Sequence, residues 1–95
     1  MPHGRCVIYS FAGDEQEMID KAKAGVLPLM QAQPGYLAYG VIVQEGKIVS
    51  MSAWASQAEA EAADKVAARW AKDNIDATPL ERYIGEYAWL DIGQQ

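Results

Sequence analysis

Ninety-five residues suffice for one domain, spanning 1–95, but a lone core of that size buries only about 60 to 65 per cent of the surface its unfolded chain exposes, so stability is expected to be shared with a partner subunit. A net charge of −5 excludes nucleic acid and anionic membrane as partners, because both demand a basic surface to replace counterions or meet phosphate. With 51% of residues apolar and 22% charged, no extended disordered segment fits.

Taken in order, Met1 to Gly4 read as a short tail, and Arg5-Cys-Val-Ile-Tyr-Ser-Phe11 reads as the first strand. Gly13-Asp14-Glu15 opens a helix: Asp14 can accept from first-turn amides, Glu17 can reach back, and the acidic cluster suits the helix dipole. Met18, Ala22, Val26 and Leu29 form its apolar stripe. Pro28 is expected to kink the helix or begin a second short turn, and Pro34-Gly35 ends it.

Residues 36–55 then read as two strands folded back at Glu45-Gly46, the hairpin around which the rest packs. Ser56-Gln-Ala-Glu59 is a second capping box, opening a helix that runs to about Asn74 with Ala63, Val66, Ala67 and Trp70 inward and Glu61–Lys65 paired outside. Asp76 to Glu81, containing Thr78-Pro79, reads as loop, Arg82 to Leu90 as the last strand, and 91–95 as a tail. No apolar run approaches a membrane span, the lone cysteine cannot form an internal disulfide, and the start lacks the pattern of a secretory signal, so a cytoplasmic protein is expected.

The order strand, helix, strand, strand, helix, strand is that of an α+β, ferredoxin-like βαββαβ sandwich: an antiparallel four-stranded sheet with two helices on one face. All four strands are apolar on nearly both faces. In the third, Ile48, Ser50, Ser52 and Trp54 share one face, and Val49, Met51, Ala53 and Ala55 the other, with no charge on either. Two helices cover one face, so a second copy is expected to cover the other, closing a dimeric α+β barrel.

The stretch Val26-Leu-Pro-Leu-Met-Gln-Ala-Gln-Pro-Gly-Tyr36, the hairpin that follows, Trp54 and the helix from Glu59 to Asn74 resemble the antibiotic biosynthesis monooxygenase family, over residues 5 to 90. The resemblance implies a ferredoxin-like protomer, a sheet-to-sheet homodimer, and a pocket between sheet and helices that in some members holds a polycyclic phenol or a haem. Trp54 matches the tryptophan that lines that pocket. The haem-degrading members use an asparagine on the first strand and a histidine on the second helix. This chain has neither there, Ala63 standing in a run of alanines near the histidine's place, so the resemblance implies a cofactor-free oxygenase.

Trp54 is therefore the candidate wall for a small aromatic ligand, and Tyr9 or Tyr39 the candidate hydroxyl donor. Each has a plainer reading as packing between sheet and helix, and Trp70 reads as core. Cys6 reads as an inert apolar side chain, His3 as part of the tail, and Glu86 as the partner of Arg5 or Arg82 at the sheet edge. No paired carboxylates, metal-spaced cluster, nucleophile elbow or phosphate loop stands out. Two functions stay open: a cofactor-free oxygenase acting on an electron-rich aromatic, and a non-catalytic small-molecule-binding or structural dimer.

Overall fold

The computed structural model describes residues 2–91; Met1 and residues 92–95, which carry the outer parts of the two expected tails, lie outside the described residues. The elements are β1 (His3–Phe11), α1 (Glu15–Gln31), β2 (Tyr36–Gln44), β3 (Lys47–Trp54), α2 (Gln57–Asn74) and β4 (Ala77–Glu86). The strands form one four-stranded sheet in the order β2-β3-β1-β4, with every neighbouring pair antiparallel. This is the expected ferredoxin-like arrangement.

Strand alternation sorts the two sheet faces. On β1, Arg5, Val7 and Tyr9 are buried, and on β3, Ile48, Ser50, Ser52 and Trp54, so these positions face the helices. The opposite face carries cross-strand rows of apolar groups: Ile42, Val49 and Ile8 in one, Met51, Cys6 and Tyr83 in the next. Ile42, Met51 and Tyr83 are exposed there.

The hairpin turns where expected, and both of its central residues have positive φ, 47° at Glu45 and 77° at Gly46, which is the type I′ pattern that matches strand twist. Asp14 caps α1 by accepting from the Glu17 amide at 2.8 Å, and Ser56 caps α2 by accepting from the Glu59 amide at 3.3 Å. Against α1 the core takes Met18, Val26 and Met30, and against α2 it takes Ala60, Ala63, Ala67 and Ala71.

Several expected boundaries and contacts shift. β1 begins at His3, not Arg5: as a central strand it is paired on both sides, with His3 opposite Trp54 and Glu86, so its start belongs to the sheet. β4 begins at Ala77 and ends at Glu86, so Thr78-Pro79 lies in strand and Ala88 to Leu90 do not. An edge strand tolerates a proline, and here a register shift opposite Ile8 and Tyr9 absorbs it. α1 runs through Pro28 to Gln31, and Met30 rather than Leu29 completes its buried stripe; Pro28 and Ala24 are both exposed, so the lost helical bond lies on the solvent side. Glu61 accepts from Gln57 at 3.2 Å rather than pairing with Lys65. Among the described residues no helix is long and apolar enough to cross a membrane.

Candidate functional site

Between the helices and the sheet lies a narrow cavity of about 40 Å³, walled by Tyr9, Tyr39, Ile48, Ala67, Trp70 and Met18. It shares Ile19, Ala22, Val26, Tyr39, Val41 and Val43 with a wider groove of about 400 Å³ between α1 and the edge strand β2. The groove is flanked by Glu15 in the first turn of α1 and Lys23 near its middle.

Arg5 is the unexpected member of the inner wall. It is 1% exposed, although it opens the stretch that sequence alone reads as strand. The alternation that buries Val7 and Tyr9 carries Arg5 to the same face. Its Nε donates to Asp64 Oδ1 of α2 at 2.6 Å, and its Nη1 donates to Ser50 Oγ at 3.2 Å. Arg82 of β4 donates to the same Asp64 oxygen at 3.2 Å. Glu86, expected as the partner of Arg5 or Arg82, is exposed and pairs with neither; the shared partner is Asp64, which the helix presents between Ala63 and Ala67.

From Arg5 the hydrogen bonds run in one direction. Ser50 Oγ, having accepted from Arg5, donates to the Tyr39 oxygen at 3.2 Å. Tyr39 has thus used its acceptor site on Ser50, and its own hydroxyl hydrogen remains to be donated. Burial pushes the Tyr39 phenol above its ordinary range, against the Ser50 hydrogen bond and the Arg5 charge, which both pull it down. The phenol is a neutral donor at ordinary pH.

Tyr9 and Tyr39, singled out from sequence, therefore meet in one cavity. Trp54 does not line it. The Trp54 ring is fully buried at the end of β3, packed with Val26, Met30, Ala60 and Ala63, its Nε1 donating to Ser52 Oγ at 2.9 Å. It meets Tyr36 edge-on at 5.7 Å between ring centroids. Tyr36 and Tyr39 both reach the helix side because the β2–β3 register shifts between Tyr36 and Ala38. The tryptophan that does line the cavity is Trp70, which sequence reading assigns to core. Among the described residues no cluster of three or more His, Cys, Asp or Glu is placed to hold a metal ion.

No protein-family profile and no curated protein matches this chain in sequence. Solved structures do match in shape. One is a variant of SnoaB, a cofactor-independent oxygenase from Streptomyces nogalater, at TM-score 0.73 and 12% identity over 94% of this chain and 95% of that one. Another, from Nitrosomonas europaea and provisionally assigned as an antibiotic biosynthesis monooxygenase, aligns at TM-score 0.69 and 18% identity over 92% and 91%. The chain has the fold of the antibiotic biosynthesis monooxygenases. MupZ from Pseudomonas fluorescens shares it at TM-score 0.72 and 11% identity over 87% of this chain, which spans 66% of MupZ. At such identities the likeness is one of fold, as the sequence resemblance implied.

Proposed function

We propose that this protein is a cofactor-free monooxygenase acting on a small aromatic or polycyclic phenol. The observation that carries the reading is the Tyr39 hydroxyl, held by Ser50 so that its hydrogen is left for a ligand, on the wall that the inner cavity shares with the largely apolar outer groove. The apolar walls of the outer groove, among them Ile19, Val26 and Val41, strip water from the ring, and Tyr39, which lines both groove and cavity, donates to the substrate oxygen as charge builds there. The reaction is phenol plus O2 giving quinone plus water. One oxygen atom bonds to the ring carbon opposite the hydroxyl; the other leaves as water with the O–H and C–H hydrogens. The ring supplies all four electrons that O2 takes up.

Supporting the reading is the shared fold with SnoaB, itself described as a cofactor-independent oxygenase. The protein is also proposed to work as a homodimer, because the uncovered sheet face carries Ile42, Val49, Met51 and Tyr83. One observation favours the second reading, a binding or structural protein without turnover: the inner cavity, at about 40 Å³, has no room for a ring, which must lie in the outer groove. Oxygen uptake with a panel of naphthols and anthrones separates the two. Uptake with quinone formation, reduced about a hundredfold in kcat/KM by Tyr39→Phe, is the expected result. Rings that bind without consuming oxygen would establish the second reading instead.

A further inference from the structure

We infer that the inner cavity is an anion subsite, in which Arg5 receives an anionic oxygen, phenolate or ring-borne carboxylate, of an aromatic ligand whose ring lies in the outer groove. The ring rests on the reading above; the anionic group does not. Arg5 Nη2 is buried and has no hydrogen-bond partner among the described residues, while the other two guanidinium nitrogens are engaged by Asp64 and Ser50. A buried charged donor without a partner carries a large desolvation cost, which an incoming acceptor relieves.

Charge points the same way. Arg5 and Arg82 share the single carboxylate of Asp64, so the cluster of two cations and one anion keeps one positive charge. Arg82 is partly exposed, so water screens its charge, whereas Arg5 has its side chain wholly enclosed and stands in the cavity wall. The rest of that wall is nearly all apolar, with Ser50, Tyr9 and Tyr39 supplying its hydroxyls. A charge facing so little water acts strongly on whatever enters. Size fits as well: about 40 Å³ admits an oxygen or a carboxylate but not a ring, and the adjoining groove of about 400 Å³ takes the ring. A neutral aromatic of equal size would leave Nη2 unpaired and forgo this contact.

The test is equilibrium binding of three probes of similar ring size: 4-nitrophenol above its pKa, 4-nitrobenzoate, and neutral 4-nitroanisole. At least one anion is expected to bind about tenfold or more tightly than the anisole, as a hydrogen bond to a charged donor implies. Which anion wins tells phenolate from carboxylate. In Arg5→Gln the preference should vanish while anisole binding persists. In Asp64→Asn, where the counter-charge is gone and both guanidiniums remain, the preference should grow, whereas a merely structural role for the cluster would weaken all three probes alike. Anisole binding as tightly as both anions in the unaltered protein would overturn the inference, as would binding of none of them, and both outcomes are decided on the unaltered protein even if Arg5→Gln does not fold. Because no turnover is involved, anion preference without oxygen uptake would refute the oxygenase reading alone, and oxygen uptake with no anion preference would refute the subsite alone.

Discussion

At the scale of single residues, the site is a line of donors that begins at a buried cation. Arg5 donates to Ser50, Ser50 donates to Tyr39, and Tyr39 stands on the cavity wall with its own hydrogen still to donate. Removing the phenol oxygen breaks the line at its last member. Tyr39→Phe is expected to cost about 1 kcal/mol of stability at neutral pH, the ordinary value of one hydrogen bond, read from urea unfolding. The same phenol also sets a pH dependence. Burial raises its folded-state pKa above the unfolded value of 10.0, so the folded protein holds the proton more tightly. Its stabilising contribution is complete below that value and is lost as pH rises through the folded pKa. Unfolding free energy should therefore fall on the alkaline side, and Tyr39→Phe should flatten part of that fall. Tyr83, whose pKa is raised by its hydrogen bond to Glu81, acts in the same direction but from the surface, so Tyr83→Phe should flatten it less. Equal flattening by the two variants would show that Tyr39 is not desolvated in solution.

The residue scale is also where sequence says least. Tyr9 and Tyr39 can be named as donors because a phenol on an apolar strand needs a partner, yet nothing local marks Arg5 as buried. The clue lies in its spacing from Val7 and Tyr9, and a charge at the first residue of an expected strand is ordinarily solvated. Asp64 is equally hidden, one acidic residue among several on α2, distinguished only by its position beside Ala63. Trp54 carries two readings: the family resemblance implies a pocket wall, and a large aromatic at a strand end ordinarily packs as core. In the single chain α1 and α2 close over it, and Trp70 lines the cavity.

At the scale of elements, the helices can lie as they do because small residues occur where they touch. A Cβ built on Gly25 of α1 would stand 2.5 Å from Trp70 Cζ2 of α2, closer than real carbon atoms approach. Gly25→Ala should gain about 1 kcal/mol in helix propensity and lose about 1 to 3 kcal/mol to overpacking. A net loss is expected, with the Trp70 fluorescence shifted because the ring must move. An increase in stability would mean that the helices pack more loosely than their geometry indicates. The hairpin offers the opposite case. Glu45 holds φ of 47°, which a side chain without local hydrogen bonding adopts at a cost. Glu45→Asn places the preferred Asn-Gly pair in the type I′ turn and should stabilise by about 0.5 to 1 kcal/mol. The Ser56 and Asp14 caps and the Glu45-Gly46 turn were legible because each is a local signal. The start of β4 was not, because Thr78-Pro79 is a loop signal that only an edge position and a register shift can override.

At the scale of the molecule, one sheet face is covered by helices and the other is not. The uncovered rows, Ile42-Val49-Ile8 and Met51-Cys6-Tyr83, have no side chain able to hold a counter-charge at their centre. Apolar rows of this kind mark an interaction surface, and the homodimer proposed above would cover them with a second copy of the same sheet. Met51 lies in the middle of the face, on the inner strand β3, and is 36% exposed in the single chain. Met51→Glu would carry a carboxylate into both halves of a two-fold interface, with no cation opposite. The cost of burying each unpaired charge is on the order of several kcal/mol, so association should weaken by three orders of magnitude or more. Sedimentation velocity over a concentration series should then give a dimer for the unaltered chain and a monomer for Met51→Glu, with far-ultraviolet circular dichroism unchanged. A dimer that survives Met51→Glu would place the interface elsewhere. A monomer in the unaltered protein would mean that this face is covered by something other than its own copy.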